Sequence, residues 1–271
     1  MRHLRPRPDH MISGMPYERV VAVSPHFDDA VLSVGGLLGD MTGRTLVVTV
    51  HGGAPPDDAP SDWDRLCGFA SAAAASSARG REDRVACGVI GAEWAHLPIA
   101  DGAYGAPASV DELTEVLRAH VTEDTLVLVP AGVCRHADHH RTRDTALKAL
   151  AEIRVGQAWL YADQPYASRS EHWGGPGAEA LADEVWRERM APVVENFGLP
   201  EARTLRLSAE TWAVKHRAVL AYASQLGPLA TYAGYFLALD GPLRTETIWR
   251  VGSRPTPWFP GAAEKKREGR A

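Results

Sequence analysis

Residues 20–36 read VVAVSPHFDDAVLSVGG. The stretch begins with a β-branched run typical of a buried strand and ends in an apolar run that favours the start of a helix. His26, Asp28 and Asp29 lie between the two. In α/β folds, side chains at such a strand-to-helix turn point into the crevice beyond the carboxyl ends of the strands. The stretch therefore predicts a βα unit whose turn carries a candidate functional site.

The same alternation of strands and helices continues along the chain. Further strands are predicted at residues 44–51, 93–97, 125–129, 158–162, 204–207 and 247–251. Helices are predicted at residues 30–41, 63–90 with an interruption near Arg79-Gly80, 111–121, 141–153, 178–190 and 209–224. Gly91 fits a helix C-terminus and Ser109 a helix N-terminus. This order predicts an α/β fold, a single doubly wound, mostly parallel, Rossmann-like sheet with helices on both faces.

The domain organisation follows from composition. We predict one domain over residues 17–255, because no linker or repeat divides it. Residues 1–16 lack the apolar core of a signal peptide and are expected to form a loose extension, whereas residues 256–271 are expected to form a flexible charged tail. With 271 residues, 45% of them hydrophobic, the chain has enough apolar side chains for a sizeable core.

Charge, hydropathy and cysteine content indicate which classes of partner and which compartment to expect. The formal net charge of -5 argues against a nucleic-acid partner, which needs clustered Lys and Arg, and favours a small-molecule substrate. No run approaches the ~20 apolar residues of a membrane span, so no membrane partner is expected. Cys67, Cys87 and Cys134 suggest neither a disulfide framework nor a cysteine zinc site, which favours the cytoplasm. The sequence leaves open whether the chain forms a homo-oligomer.

Two loops at predicted strand ends hold most of the convergent polar side chains. HFDD at residues 26–29 follows the first strand, and HADHH at residues 136–140 follows the fourth. A catalytic metal site built from them needs two neutral imidazoles and one carboxylate, with coordination positions left open for water and substrate. His26, Asp29 and His139 supply that set.

The remaining polar groups in the two loops suit supporting roles. Asp28, next to a ligand, is placed to act as general base, and His136 to stay protonated and face a developing oxyanion. Asp138 is the best candidate for the outer partner that a metal-binding imidazole usually needs. The alternative is that each loop is an ordinary helix start, where Asp is favoured by capping and by the helix dipole. Two such loops at strand carboxyl ends favour a site.

The motifs SPHFDDA at residues 24–30, with Gly35-Gly36, and HADH at residues 136–139 resemble the two signatures of the LmbE/PIG-L zinc-dependent N-deacetylases. That family includes N-acetylglucosaminyl-phosphatidylinositol deacetylases and mycothiol-pathway enzymes. RGRE at residues 79–82 is similar to the family's Arg-x-x-Glu helix. The segment from Lys215 to Gln225 is similar to its late Lys…Ser-Gln segment.

The resemblance implies a site by matching position. It implies one Zn²⁺ per chain on His26, Asp29 and His139, with other divalent metals also able to bind. It implies Asp28 as the base and His136 as the group that assists the oxyanion. The same matching implies that Arg79 and Asp101 hold sugar hydroxyls or other polar substrate groups.

The chain also differs from the family's usual sequence motifs. Phe27 and Ala30 stand where members usually have Pro and Glu, although no ligand is lost. Cys134 stands where some members carry a Tyr, two residues before His136. Whether Cys134 takes over the role of that phenol is not indicated by the sequence.

The expected function is a zinc-dependent amide hydrolase acting on linear amides. It would remove an acetyl or other acyl group from the amine of an amino sugar or a sugar-containing natural-product intermediate, by attack of a metal-bound water. One alternative is a non-haem iron(II) oxygenase, because His-x-Asp with a distant His also satisfies a facial triad, although such oxygenases have all-β folds. A second is a catalytically inactive carbohydrate-binding relative.

Overall fold

A mixed sheet runs through the computed structural model, which describes residues 17–105, 111–153, 157–180 and 183–252. Its spatial order is β3-β2-β1-β4-β5-β7-β6. The first five strands in sequence are parallel, and β7 runs antiparallel to β5 and β6. The strands are β1 (Arg19–Ser24), β2 (Arg44–Thr49), β3 (Glu93–His96), β4 (Thr125–Pro130), β5 (Ala158–Tyr161), β6 (Glu201–Arg206) and β7 (Thr245–Arg250).

Helices cover both faces of this sheet. They are α1 (Asp29–Asp40), α2 (Asp62–Leu66), α3 (Ala72–Ile90), α4 (Asp111–His120), α5 (Ala137–Ile153), α6 (Gly177–Ala180), α7 (Glu184–Phe197), α8 (Ala209–Leu220) and α9 (Ala223–Ala233). Within the described ranges, no helix combines the length and apolar character needed to cross a lipid bilayer.

The predicted fold class is confirmed, because the structure has one mostly parallel α/β sheet with helices on both faces. Gly91 ends α3 in the left-handed conformation, with φ of 76°, as predicted. The expected extension at residues 1–16, the tail at 256–271 and the cap at Ser109 lie outside the described residues.

Four helix boundaries differ from the prediction. The break expected near Arg79-Gly80 lies instead at Gly68, whose φ of 82° separates α2 from α3. Helix α5 begins at Ala137 rather than at 141, so His139 lies in its first turn. The helix predicted at 178–190 is divided into α6 and α7, and α7, capped by Asp183 at the amides of Val185 and Trp186, continues to Phe197. The single helix predicted at 209–224 is divided into α8 and α9.

Strand β1 shows why the sequences of the central strands are continuously apolar. Val21 and Val23 are fully buried in the apolar layer beneath α4, α5 and α7. Val20 and Ala22 are fully buried in the opposite layer, beneath α1, α3 and α8. A parallel strand covered on both faces has no side that can be polar.

The strand order places the two polar loops side by side. After β1 the chain winds outward through β2 and β3, then returns to form β4 on the other side of β1. Such a reversal opens a crevice at the carboxyl ends of the two central strands, where α/β proteins bind ligands. The loops that follow β1 and β4 both end in this crevice.

A buried carboxylate on β7 holds α1 in position and forms an ion pair. Helix α1 is kinked at Val34, with φ of −132° and ψ of 18°. The Glu246 carboxylate of β7 accepts hydrogen bonds from the amides of Gly36 and Leu37 just beyond the kink, at 2.8 and 2.9 Å. It also pairs with the ammonium of Lys215 at 2.7 Å, and both side chains are fully buried. Glu246 therefore satisfies backbone groups and a buried charge together.

We expect Glu246→Gln to lower the free energy of unfolding by about 3 kcal/mol, because the Lys215 ammonium is left buried without its counter-charge. Urea denaturation followed by circular dichroism measures the change. Glu93→Gln is the matched control, since it breaks an exposed pair with Arg44 and should leave the unfolding midpoint in place. Equal midpoints for the two variants would contradict the expectation.

Candidate active site

Local hydrogen bonds shape the turn between β1 and α1. The Ser24 hydroxyl donates to the carbonyl of His26 at 2.6 Å and accepts from the amide of Ala30 at 3.0 Å. The amide of His26 donates to Oδ2 of Asp29 at 2.8 Å. Asp28 occupies the N-cap position, yet its carboxylate makes no capping hydrogen bond. The turn is therefore held without using Asp28, which does not serve as an ordinary helix cap.

The first turn of α5 supplies the second imidazole. His139 is fully buried, and its Nδ1 lies 2.7 Å from Oδ1 of Asp163, two residues after the end of β5. Oδ2 of the same carboxylate accepts from the amide of Val133 at 3.0 Å, which fixes its orientation. Among the described residues, Nε2 of His139 is buried and has no hydrogen-bond partner. That nitrogen is available as a ligand atom.

The structure brings the three predicted metal-binding side chains together. Oδ2 of Asp29 lies 3.2 Å from Nδ1 of His26 and 3.4 Å from Nε2 of His139. A second set is also present, since the imidazoles of His26, His136 and His139 offer ligand atoms within 4.8 Å of one another. The first set offers two imidazole nitrogens and a carboxylate oxygen and the second offers three imidazole nitrogens, and zinc binds both donor types.

The charges around Asp29 favour the binding of a cation. Burial alone would lower the pKa of His26, but the carboxylates of Asp101, Asp138 and Asp29 raise it to about 10. Burial would raise the pKa of Asp29, but His139 and His26 hold it well below its usual range. Burial opposes protonation of His139, and Asp29 still raises its pKa well above the usual value. The carboxylates thus draw positive charge to the imidazoles, as the donor set of a metal site would.

Asp138 holds His26 on the side away from Asp29. Its Oδ2 lies 3.2 Å from Nε2 of His26 and accepts from the amide of Gly102 at 3.1 Å, and its other oxygen binds Arg141. A Cβ at Gly102 would lie 2.8 Å from Oδ1 of Asp138, so glycine allows this close approach. The carboxylate is therefore an outer partner of His26, whereas His139 uses Asp163.

A cavity of about 200 Å³, open to solvent, covers these groups. Asp138 and His139 lie behind its wall, with 1% and 0% of their surface exposed. The cavity is lined by six of the predicted site residues, His26, Asp28, Asp29, Arg79, Asp101 and His136.

The two predicted catalytic groups differ in protonation. Burial, with the neighbouring charge of Asp29, raises the pKa of Asp28 to about 7. Burial, with the charges of His26 and His139, lowers the pKa of His136 to about 4. His136 is therefore neutral at pH 7 in this arrangement, where the sequence suggested a protonated group. A neutral imidazole still has one N–H to donate.

Arg79 and Asp101 each have a structural contact as well as a place on the cavity. Arg79 is buried, and its guanidinium lies 2.7 Å from Oδ1 of Asp64, which also accepts from the Tyr104 hydroxyl at 3.3 Å. Asp101 caps the amide of Ala103 at 2.8 Å, as its Asp-Gly sequence suggests. Its other oxygen lies 3.8 Å from Nε2 of His26.

Two carboxylates of the site, Asp163 and Asp64, were not predicted from the sequence, and the role of Cys134 was left undecided. Asp163 was signalled only by its place directly after a strand at the same sheet edge, and Asp64 had no signal, because its partner Arg79 lies on another helix. The buried Cys134 offers its sulfur within 4.8 Å of ligand atoms of His139 and Asp163. It therefore lies beside the imidazole and its outer partner.

Comparison with known proteins finds one matching family and several similar deacetylases. Residues 21–150 match the PIG-L family, described as GlcNAc-PI de-N-acetylase. A Corynebacterium glutamicum protein, 1D-myo-inositol 2-acetamido-2-deoxy-alpha-D-glucopyranoside deacetylase, is 27% identical over 237 residues, covering 77% of this chain and 75% of the relative.

Solved structures of deacetylases have the same fold. A triple mutant of a deacetylase of the teicoplanin biosynthetic pathway has a TM-score of 0.69 and 27% identity, over 89% of this chain and 100% of that one. The zinc-inhibited form of a teicoplanin deacetylase has a TM-score of 0.67 and 25% identity, over the same 89% and 100%. All of the predicted site residues fall inside residues 21–150, the segment that matches the PIG-L family.

Proposed function

We propose that this protein is a zinc-dependent N-deacetylase that removes an acetyl group from the amine of an amino sugar. The observation that carries the proposal is the convergence of His26, Asp29 and His139 on one point. Oδ2 of Asp29 lies within 3.4 Å of a ring nitrogen of each imidazole. The deacetylase relatives and the family match support the reaction class.

His26, Asp29 and His139 would hold the zinc ion. The fit rests on the buried Nε2 of His139, which has no hydrogen-bond partner among the described residues, and on a donor set of two imidazoles and one carboxylate. Zinc bound there would polarise the amide carbonyl and increase the acidity of water. Asp163 and Asp138 hold the imidazoles in orientation, which is the usual task of outer partners.

Asp28 carries the proton in the proposed reaction. Its carboxylate lines the cavity, is 7% exposed and makes no capping bond. It takes a proton from the attacking water and returns it to the amine as the C–N bond breaks, leaving acetate and the free amino sugar. A base whose pKa lies near neutrality performs both transfers well. The retained Asp28 also favours an enzyme over an inactive carbohydrate-binding relative.

The other cavity residues act on the amide and on the sugar. His136 donates its N–H to the oxygen on which negative charge develops. Arg79 and Asp101 bind sugar hydroxyls, and the contact of Arg79 with Asp64 holds the guanidinium in place. The alternative of a non-haem iron(II) oxygenase is disfavoured by the α/β sheet, since those enzymes have all-β folds.

We expect Asp28→Asn to reduce kcat by about 10²- to 10⁴-fold while zinc stays bound, because the base is lost and the ligands are kept. His139→Ala should lose zinc and activity together. Release of free amine from an N-acetylglucosaminide gives the rate, and mass spectrometry of the same preparation gives the metal content. Asp240→Asn, an exposed carboxylate away from the cavity, is the control. Retention of the full rate by Asp28→Asn would refute the assigned role.

We expect Asp163→Asn to weaken zinc binding by about 10- to 100-fold, because the outer partner of His139 is lost. Competition with a chelator measures the affinity, and added zinc should restore most of the activity. Asp183→Asn, which removes only the cap of α7, should leave zinc affinity unchanged. If both variants bind zinc like the parent protein, Asp163 does not support a metal ligand.

A further inference from the structure

The loop between β4 and α5, residues 131–136, carries the amide that orients Asp163. The amide of Val133 donates to Oδ2 of Asp163 at 3.0 Å, and Oδ1 of the same carboxylate lies 2.7 Å from Nδ1 of His139. The carbonyl of Val133 accepts a hydrogen bond from Arg189 of α7. A displacement of this peptide group would turn the carboxylate away from the imidazole. The contact between Asp163 and His139 therefore depends on what holds the loop.

Arg143 joins this loop to two helices. It lies on α5 one turn beyond His139 and is 3% exposed. Its Nη1 donates one hydrogen bond to the carbonyl of Ala131 and another to the carbonyl of Arg189 in α7, both at 3.0 Å. Its Nε donates to Oδ1 of Asp144 at 2.8 Å, which supplies a counter-charge. Hydrogen bonds from a charged donor are stronger than those from a neutral one, and the planar guanidinium fixes their directions.

The backbone at Gly132 allows the loop to lie close to α5. Its φ is 67°, a left-handed conformation that glycine adopts without strain. A Cβ there would lie 3.0 Å from Cδ2 of His140 and 3.2 Å from Nη1 of Arg143, closer than side chains usually pack. His140, also on α5, donates from Nε2 to the carbonyl of Cys134 at 2.9 Å. Helix α5 therefore holds the loop on both sides of Gly132.

These contacts form a closed ring around a proposed metal ligand. Helix α5 carries both His139 and Arg143. Arg143 holds the loop, and the Val133 amide of the loop directs Asp163. Asp163 in turn contacts His139 on the same helix. Because buried carbonyls need donors and the interior is closely packed, loss of the guanidinium must shift the loop.

We propose that Arg143 is a positioning residue, which through the loop after β4 holds Asp163 against His139 and so sets the affinity of the site for zinc. The inference rests on the proposed function, because its effect on zinc requires that His139 binds the metal. Arg143 is not among the described residues that line the cavity. Its effect is therefore expected in the orientation of His139 and in metal affinity, and not in the chemical step of the loaded enzyme.

Competition with a chelator tests the effect on zinc. Arg143→Met should weaken zinc binding by about tenfold, the lower end of the effect of an outer partner, because the Val133 amide loses its fixed position. Arg143→Lys, which keeps the charge but not the planar fork, should lose less. Added zinc should restore kcat in both variants. Leu243→Ala, which removes a buried side chain in the opposite apolar layer, controls for lost stability and should bind zinc like the parent protein.

A double-mutant cycle separates positioning from a general loss of stability. If Arg143 acts through Asp163, Arg143→Met should change zinc affinity little in a protein that already carries Asp163→Asn. Losses that add in the double variant would overturn the inference. So would an Arg143→Met protein that binds zinc like the parent.

A measurement without zinc makes the inference distinguishable from the proposed function. In the metal-free protein, the Nδ1 proton of His139 in its hydrogen bond to Asp163 should give a downfield proton NMR signal, assigned by its loss in Asp163→Asn. Arg143→Met should move this signal, and Leu243→Ala should not. A moved signal with weaker zinc binding, in a protein that releases no amine from N-acetylglucosaminides, would support the inference and overturn the deacetylase proposal. An unmoved signal would overturn the inference even in an active deacetylase.

Discussion

The carboxylate of Asp29 lies between two imidazoles, and the geometry of the site depends on this contact. A carboxylate that is 3% exposed is costly to bury unless positive charge surrounds it. His26 and His139 meet that requirement from two different loops. Each imidazole has a second carboxylate on its far side, Asp138 for His26 and Asp163 for His139. The arrangement alternates acidic and basic groups, which orients the rings of His26 and His139.

Helix α1, which carries Asp29, is held in position by a buried carboxylate that lies far from Asp29 in the sequence. Glu246, on β7, accepts hydrogen bonds from the amides beyond the kink of α1 and pairs with the buried ammonium of Lys215. The kink would otherwise leave amides unpaired in an apolar layer. Residues from the late part of the chain therefore set the position of the first helix, whose N-terminus bears a proposed metal ligand.

Prediction from sequence succeeded where local chemistry sets the outcome. The parallel sheet followed from the alternation of apolar strands and helices, and the structure confirms it. Helix starts were harder, because a cap is a single side-chain contact. The helix predicted at 178–190 is divided, with α7 capped by Asp183, and α5 begins early enough to place His139 in its first turn. The break between α2 and α3 lies at Gly68, where a positive φ ends the helix, and not at Gly80.

The sequence by itself determined the α/β class, the two polar loops and the residue types able to bind zinc, since each depends on spacing along the chain. Only the tertiary structure showed that β1 and β4 are neighbours, which brings Asp29 against His139. Only it gave His139 its partner Asp163, and Arg143 its contact with Arg189. These contacts join residues distant in sequence, and their formation depends on strand order and helix packing, which no local pattern encodes.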